Sequence, residues 1–276
     1  MSLRRVYNIP PGRDSYHMAP GELLVGTCGF SARGGRKAYF DAFPVVEVQD
    51  TFYRIVRKST LEKWRREAPE GFEYTVKAFQ GVTHPASSPT WRRSNLKIPE
   101  EKRDRYGFFR PTKEVMDSWL YTLDAARTLG SRFIVVQTPA SFKPTAENVE
   151  NIRRFFREAP RNGFLVGWEP RGEWNRMREL LGEILGELSL VHVVDPFRRK
   201  EVVETETRYY RLHGRGGREV NYRYKYSDDD LDELVRYIAS LDARRVYVMF
   251  NNVYMFDDAR RFMKKAVEAG LRVKKP

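Results

Sequence analysis

The sequence predicts a (β/α)8 barrel, a closed cylinder of parallel strands surrounded by helices. Two observations favour this fold class. Eight short runs of apolar and β-branched residues recur along the 276-residue chain, and most are separated by segments with helical spacing of apolar residues. The length also matches the roughly 250 residues typical of such a barrel. A doubly wound open sheet is the competing architecture, but it usually has about five to seven strands.

The predicted elements follow one another in strand-then-helix order. The strands are Leu23–Phe30, Val45–Phe52, Phe72–Phe79, Phe133–Gln137, Phe164–Glu169, Leu190–Val194, Arg208–His213 and Arg245–Phe250. The helices are one that opens near Ser59 and Thr60, then Thr112–Leu129, Glu147–Glu158, Met177–Leu188, one that begins after Ser227, and Asp257–Ala269.

Capping and breaking residues support several of these helices. Ser227 can cap a helix whose first turn holds three aspartates, where carboxylates meet the positive end of the helix dipole. Gly130 and Pro160 are expected to end two others. Residues 196–207 are too short and too charged for a full helix, so the helix between strands six and seven is predicted to be reduced or missing.

A single domain is predicted for residues 1–276. The barrel occupies about residues 22–270, residues 1–20 form a polar N-terminal extension, and residues 80–111 form a basic insertion on the rim. Neither a linker nor a sequence repeat divides the chain.

Charge and cysteine content limit the classes of function. The formal net charge of +13 favours an anionic partner, either a phosphate-bearing small molecule or nucleic acid. A surface rich in ion pairs, as in thermophile proteins, is the alternative explanation. Cys28 is the only cysteine, which excludes an intrachain disulfide and a multi-cysteine zinc site. Without a long apolar run or a secretory signal, we expect no membrane contact and a cytoplasmic location.

The carboxyl ends of the strands are where a barrel of this class places its active site. Polar and ionisable side chains stand at seven of these ends, and such groups must be paired or functional when buried. The expected catalytic residues are Glu47, Glu169, His213 and His84. The expected ligand-binding residues are Thr51, Tyr53, Lys77, Gln137, Arg171, Trp174, Asp195, Arg211, Asn251 and Asn252.

Glu47 lies within an otherwise apolar strand. Strand alternation places Glu47 and Gln49 on the same face as Val45, pointing into the barrel. A carboxylate in that position needs a cation, and Lys77 or Arg171 is the expected partner. Two interpretations remain open: a buried ion pair that holds the barrel closed, or a carboxylate that performs acid–base chemistry.

Two other strand ends carry candidate acid–base groups. Glu169 stands at the tip of the fifth strand, where Arg171 could bind an anionic group and Trp174 could line a pocket; a salt-bridged loop with Trp174 in the core is the alternative. His213 shares a strand face with Arg211 and is a candidate general acid–base or metal ligand. A hydrogen-bonded structural histidine is the alternative there.

The remaining candidates have weaker signals. His84 begins the long third loop and could cover the mouth, and Asn251 and Asn252 could orient a ligand or cap a turn. His192 and Cys28 are expected to be core residues. A divalent metal held by several strand ends is a possible cofactor, although the sequence has no metal-ligand motif and no metal residues are assigned.

Basic residues are concentrated in three loops that the barrel places at its mouth, where aromatic residues are interleaved with them. This pattern favours an anionic ligand, with aromatic surfaces for stacking on bases or sugars. The basic residues are Arg92, Arg93, Lys97, Lys102, Arg103, Arg105, Arg110, Arg198, Arg199, Lys200, Arg215, Arg218, Arg223 and Lys225.

Several motifs, taken in order, resemble the YecE-like family, known as domain of unknown function 72. The resemblance covers roughly Leu23 to Ala269 and implies a TIM barrel, but no established activity. Gln49-Asp50 and Arg260-Arg261 depart from the family pattern. The motifs are Gly26–Phe30, Val46–Arg54, Val76–Ala78, Thr83-His84, Glu169–Arg171 with Trp174, Arg211–Gly214 and Phe250–Asn252.

The leading functional hypothesis is a barrel that binds a phosphate-bearing ligand at its mouth, either nucleic acid or a sugar or nucleotide phosphate. Whether it also hydrolyses that ligand is left open by the sequence. Glu47 and Glu169 would act as acid–base carboxylates, assisted by His213 and His84. The alternatives are a non-catalytic nucleic-acid-binding protein and a glycosidase-like enzyme with two catalytic carboxylates.

Overall fold

Eight parallel strands close into a cylinder, as the sequence predicts. The computed structural model describes residues 20–217 and 219–276, and in it each strand pairs with the next along the chain. The last strand closes the barrel against the first through a register that runs from Glu22 opposite Arg245 to Thr27 opposite Phe250. The predicted N-terminal extension, apart from Pro20, and Arg218 lie outside the described residues.

The bounds of the elements are close to those predicted. The strands are β1 Glu22–Cys28, β2 Val45–Val48, β3 Glu73–Lys77, β4 Phe133–Gln137, β5 Leu165–Glu169, β6 Val191–Val194, β7 Thr207–Leu212 and β8 Arg245–Phe250. The helices are α1 Gly35–Phe40, α2 Asp50–Tyr53, α3 Lys58–Glu67, α4 Lys113–Thr128, α5 Ala146–Glu158, α6 Arg178–Glu187, α7 Asp228–Ala239 and α8 Met255–Glu268. Short 3-10 helices occupy Pro89–Arg93, Glu100–Arg105 and Gly172–Arg176. None of the helices in these described ranges is long and apolar enough to cross a bilayer.

Two local differences from the prediction have physical explanations, and one predicted irregularity is confirmed. The second strand ends at Val48, because the Thr51 hydroxyl donates to carbonyl groups of Val48 and Lys77 and the chain turns into α2. Helix α1 was not predicted, since six residues are too few to show a periodic pattern. Residues 196–206 between β6 and β7 contain no helix, which confirms the predicted gap.

Side chains of the strands alternate between two apolar layers. Val46 and Val48 face the surrounding helices, whereas Val45 faces the barrel interior, as the alternation predicts. The interior below the mouth is filled by aromatic rings: Tyr209 stacks on Phe133 at 4.5 Å and on Tyr247 at 5.3 Å between ring centroids. Above this packed floor, Glu47, Lys77, Glu169 and Arg211 lie at or near the carboxyl ends of their strands.

The basic insertion, residues 80–111, is a packed loop whose two ends are tied together. The amide of Gly107 donates to the carbonyl of Gly81 at 2.9 Å, and the amide of Phe109 donates to the carbonyl of Val82 at 3.0 Å. Because it follows β3, it stands at the mouth of the barrel.

Gly26 provides a test of the barrel packing. A Cβ atom added there would lie 2.1 Å from the carbonyl oxygen of Val45 on the neighbouring strand. G26A should therefore lower the free energy of unfolding by about 2–3 kcal/mol, since β1 and β2 would have to separate. Urea-induced unfolding measures the change.

Gly186, in helix α6, provides the matched control. An added Cβ meets no atom within 4 Å, so G186A should raise the free energy of unfolding by about 0.5–1 kcal/mol through helix propensity. Equal effects of the two substitutions would contradict the described contact between β1 and β2.

Candidate active site

A continuous hydrogen-bonded chain of side chains crosses the mouth of the barrel. Arg211 of β7 binds the Glu47 carboxylate through Nη2, 2.9 Å from Oε1, and through Nε, 3.0 Å from Oε2, and its Nη1 binds Glu169 at the end of β5. The Nε2 atom of His213 lies 2.7 Å from Oε1 of Glu169, and its Nδ1 lies 3.1 Å from the amide nitrogen of Asn251. The structure therefore brings together residues from β2, β5, β7 and the loop after β8.

Strand alternation explains why these side chains meet. Tyr209, Arg211 and His213 are successive inward-facing residues of β7 and its end, so they rise from the aromatic floor to the mouth. The same parity places Glu47 and Glu169 inward at their strand ends. Glu47, Glu169 and Arg211 thus lie above the stacked aromatic rings that fill the barrel interior.

Glu47 is fully buried and its oxygens are saturated. Besides Arg211, it accepts hydrogen bonds from the Tyr209 hydroxyl at 2.8 Å and from the Gln49 amide. The expected cation, Lys77 or Arg171, is not its partner; Arg211 reaches it from across the cylinder. The oxygens of Glu47 are thus occupied by donors from Arg211, Tyr209 and Gln49, which favours the buried ion-pair interpretation.

Glu169 is an ionised carboxylate between two guanidinium groups. Arg171 Nη2 lies 3.0 Å from its Oε1, and Arg211 binds the other oxygen. Burial alone would raise the pKa of Glu169, but Arg171, Arg211 and His213 outweigh burial and hold that pKa well below its usual range. Glu169 therefore serves as a hydrogen-bond acceptor and counter-charge, not as a general acid.

His213 is neutral and held on three sides. Burial, with Arg171 and Arg211 nearby, lowers its pKa to about 3. The Glu169 carboxylate lies 2.7 Å and Arg171 Nη2 lies 3.1 Å from Nε2, and the Asn251 side-chain nitrogen lies 3.1 Å from Nδ1. The anionic acceptor at Nε2 and the amide nitrogen at Nδ1 favour the tautomer whose ring proton is on Nε2. The backbone amide of His213 also donates to Oδ2 of Asp195 at 2.9 Å. The basic atom of this pair, Nδ1, thus faces Asn251, which is partly exposed at the mouth.

Arg171 retains hydrogen-bonding capacity. Its Nη2 contacts Glu169, but its buried Nε finds no hydrogen-bond acceptor among the residues that the structure describes. Its Nη1 lies 3.9 Å from Glu219, beyond hydrogen-bond distance. A guanidinium with an unused donor at the barrel mouth is suited to bind an oxyanion.

Lys77 and Gln137 form a pair at the ends of β3 and β4. The Lys77 Nζ lies 2.9 Å from the Gln137 side-chain oxygen and 3.9 Å from the centroid of the Phe52 ring. Burial, reinforced by Arg211, lowers the pKa of Lys77 to about 7. The Thr51 hydroxyl donates to the backbone carbonyl of Lys77, so Thr51 holds the end of β3 and its hydroxyl is not directed at a ligand.

Asp195 and Asn252 hold the loops of the mouth. Burial raises the pKa of Asp195 to about 6, and its two oxygens accept from the backbone amides of His213 and Phe197. The Asn252 amide donates to Asp258 and to the Tyr224 carbonyl, both at 2.8 Å. Asp195 and Asn252 therefore position the loops around the site through these hydrogen bonds.

Three expected site residues lie apart from the hydrogen-bonded chain. Trp174 is fully buried in the core, where its indole donates to the Phe142 carbonyl, so the core interpretation holds rather than that of a pocket wall. His84 is bonded to Thr83, and burial lowers its pKa to about 3. The ring of Tyr53 lies beneath the guanidinium of Arg93 on the rim, 3.5 Å from the guanidinium carbon to the ring centroid.

Two residues of the site are absent from the list of expected site residues, although Tyr222 is one of the aromatic residues interleaved with the basic loops. Tyr209 supports Glu47 and is bonded to Thr75 at 2.7 Å; its shared parity with Arg211 is a signal that could have found it. The ring of Tyr222 lies 6.1 Å from that of His213 and is 46% exposed. It comes from an irregular loop, so strand periodicity gives no signal for it.

Part of the basic charge expected to face a ligand is paired within the protein. Arg215 binds Asp230 and Glu233, both at 2.7 Å, while Lys102 and Arg105 both lie near Glu114. Such pairing is the pattern of an ion-pair-rich surface. Within residues 20–217 and 219–276, no group of three or more histidine, cysteine or acidic side chains is arranged to hold a metal ion.

Sequence comparison identifies the family. A family model described as "Protein of unknown function DUF72" matches residues 29–276. The chain belongs to this family. The resemblance of its motifs to the YecE-like proteins is thereby confirmed, and this DUF72 protein shares its architecture with other members.

Known relatives are similar over most of their length. This DUF72 protein is 26% identical to UPF0759 protein YunF of Bacillus subtilis (strain 168) over 241 residues, 78% of this chain and 79% of YunF. It is 25% identical to the crystal structure of a DUF72 family protein from Thermotoga maritima, with a TM-score of 0.65, covering 90% of this chain and 99% of that one. Endonuclease IV from Thermus thermophilus, at 13% identity and a TM-score of 0.51, covers 90% of this chain and 100% of its own; that likeness shows the fold alone.

Buried histidines predict a pH-dependent stability. His84, His192 and His213 have pKa values lowered to about 3, chiefly by burial, whereas an unfolded histidine titrates near about 6.5. Between these values the unfolded chain binds protons that the folded chain does not. Each histidine should therefore raise the free energy of unfolding by about 1.4 kcal/mol per pH unit from about pH 4 to 6.

The variant H192N isolates one of these contributions, because His192 lies outside the hydrogen-bonded chain. Asp195, with its pKa raised to about 6, opposes the trend in both proteins equally. Urea titrations at several pH values should give a slope smaller by about 1.4 kcal/mol per pH unit in H192N. An unchanged slope would contradict the neutral state of His192.

Proposed function

We propose that this protein is an enzyme that binds a small phosphate-bearing molecule at the barrel mouth and moves a proton on it. The observation that carries the proposal is the arrangement of Glu169, His213 and Arg171. The Glu169 carboxylate orients the neutral imidazole of His213, and the adjacent guanidinium of Arg171 has an Nε–H group without a hydrogen-bond acceptor among the described residues. These are the parts that general base catalysis on an anionic substrate requires.

His213 would be the general base. When the Nε2 proton of His213 is donated to Glu169, the lone pair on Nδ1 is the one available to a substrate. The Asn251 side-chain nitrogen contacts Nδ1 in this structure, and a substrate group would take its place. Glu169 then stabilises the imidazolium that forms when Nδ1 accepts a proton. Hydrolysis by an activated water and proton abstraction from the substrate are both reactions of this kind.

Arg171 would bind the phosphate. Its Nη2 contacts Glu169 Oε1 and lies 3.1 Å from His213 Nε2, so its remaining donors stand beside this pair, and a planar guanidinium matches phosphate geometry. Its side chain is 11% exposed, so the group is reached from the mouth but shielded from bulk water. A phosphate held there would lie beside His213.

The two alternative functions are less favoured. An extended nucleic-acid interface would use cations across the whole rim, but part of that charge, including Arg215, Lys102 and Arg105, is paired with carboxylates. A glycosidase would need one protonated carboxylic acid, whereas Glu169 is ionised and Glu47 is saturated with donors. The small-molecule function accommodates both observations.

Phosphate binding predicts a ligand-dependent gain in stability. At constant ionic strength, glycerol phosphate at 100 times its dissociation constant should raise the free energy of unfolding by about 2.7 kcal/mol. R171Q should abolish this gain, because it removes the guanidinium that stands beside the Glu169–His213 pair and whose buried Nε has no hydrogen-bond acceptor among the described residues. Thermal melts of each variant with and without the ligand measure it.

R215Q is the matched control, since it removes the same charge from the rim but from a guanidinium already bound by Asp230 and Glu233. Its response to glycerol phosphate should equal that of the wild type. Equal gains in R171Q and the wild type would refute the assigned role of Arg171. A gain with single-stranded DNA alone would favour the nucleic-acid alternative.

A further inference from the structure

Lys77 is a buried amine at the end of β3 with one polar side-chain partner. It is 5% exposed, its Nζ donates to the Gln137 side chain, and the same Nζ lies 3.9 Å from the centroid of the Phe52 ring. Among the described residues, no carboxylate lies within ion-pair distance of its Nζ. A buried ammonium in such a setting would be an unpaired charge, which is costly.

The charged groups around Lys77 also disfavour its protonation. Arg211 and Arg171 oppose the ammonium, while Glu47 and Glu169 favour it. Both carboxylates are already bound by guanidinium groups, so neither is left to pair with the lysine. Burial acts in the same direction as the arginines, and the amine is held with its lone pair available at neutral pH.

We propose that Lys77 is a nucleophile that forms an imine with a carbonyl group of the substrate. This inference rests on the proposed function and narrows its substrate class to a phosphate-bearing aldehyde or ketone. A desolvated lysine beside other cations is the environment that activates an amine for this chemistry. Gln137 would orient the amine, and Phe52 would exclude water from it.

The step balances as follows. The Lys77 lone pair forms a C–N bond while the carbonyl π electrons move to oxygen, giving a carbinolamine after the nitrogen loses a proton and the oxygen gains one. The C–O bond then breaks, the oxygen leaves as water after taking up a second proton, and C=N forms. The iminium carries the one proton taken up overall, and it acidifies the adjacent carbon, from which a base such as His213 removes a proton.

Reductive trapping tests the imine in the intact chain. The wild-type protein is incubated at pH 7 with glyceraldehyde or glyceraldehyde 3-phosphate and sodium cyanoborohydride, which reduces an imine to a stable secondary amine. Peptide mapping should show Lys77 modified at least about tenfold faster than Lys113, an exposed lysine paired with Asp117. The rate at Lys77 should rise with a midpoint near pH 7, matching its pKa.

The outcomes separate the two proposals. Lys77 modified no faster than Lys113, or with a midpoint near pH 10, overturns the imine even if glycerol phosphate stabilises the protein. Fast modification by both aldehydes without a preference for the phosphorylated one supports the imine and overturns phosphate binding. K77M should lose the fast modification while keeping the wild-type circular dichroism, and because the main measurement uses the wild type, a misfolded variant does not affect it.

Discussion

The two-carboxylate bridge through Arg211 is the interaction on which the mouth of this barrel depends. One guanidinium on β7 spans the cylinder and binds Glu47 on β2 and Glu169 on β5. All three side chains are almost completely buried, so their charges persist only because they are paired and hydrogen-bonded. Removing any one of them leaves an uncompensated charge in a low-dielectric interior.

The bridge also determines the chemistry beside it. By keeping Glu169 ionised, Arg211 makes that carboxylate an acceptor for the His213 ring proton, which fixes the tautomer. The same positive charge disfavours an ammonium on Lys77. A structural ion pair and a reactive site therefore share one guanidinium, and the aromatic floor beneath isolates both from the other end of the barrel.

Local patterns in the sequence were sufficient to predict the fold and to predict which strand residues point into the barrel. Strand parity depends only on neighbouring residues, which is why Glu47 was correctly predicted to point inward. Its partner was not predicted, because contacts across a cylinder depend on the register of all eight strands. The end of β2 was missed for a related reason: the alternation continues past Val48, but a long-range hydrogen bond from Thr51 to Lys77 ends the strand. Trp174 was ambiguous from the sequence alone, since an aromatic residue near a strand end suits a pocket wall and a core equally.

A double-mutant cycle on Glu47 and Arg211 tests the bridge most directly. Each single variant, E47Q and R211M, should lower the free energy of unfolding by about 3–5 kcal/mol. R211M leaves the buried Glu47 without a cation, and E47Q leaves two guanidinium groups, Arg211 and Arg171, to share Glu169. The double variant should cost less than the sum by at least about 2 kcal/mol. Additivity within about 0.5 kcal/mol would show that the two residues do not stabilise each other and would contradict this account of the mouth.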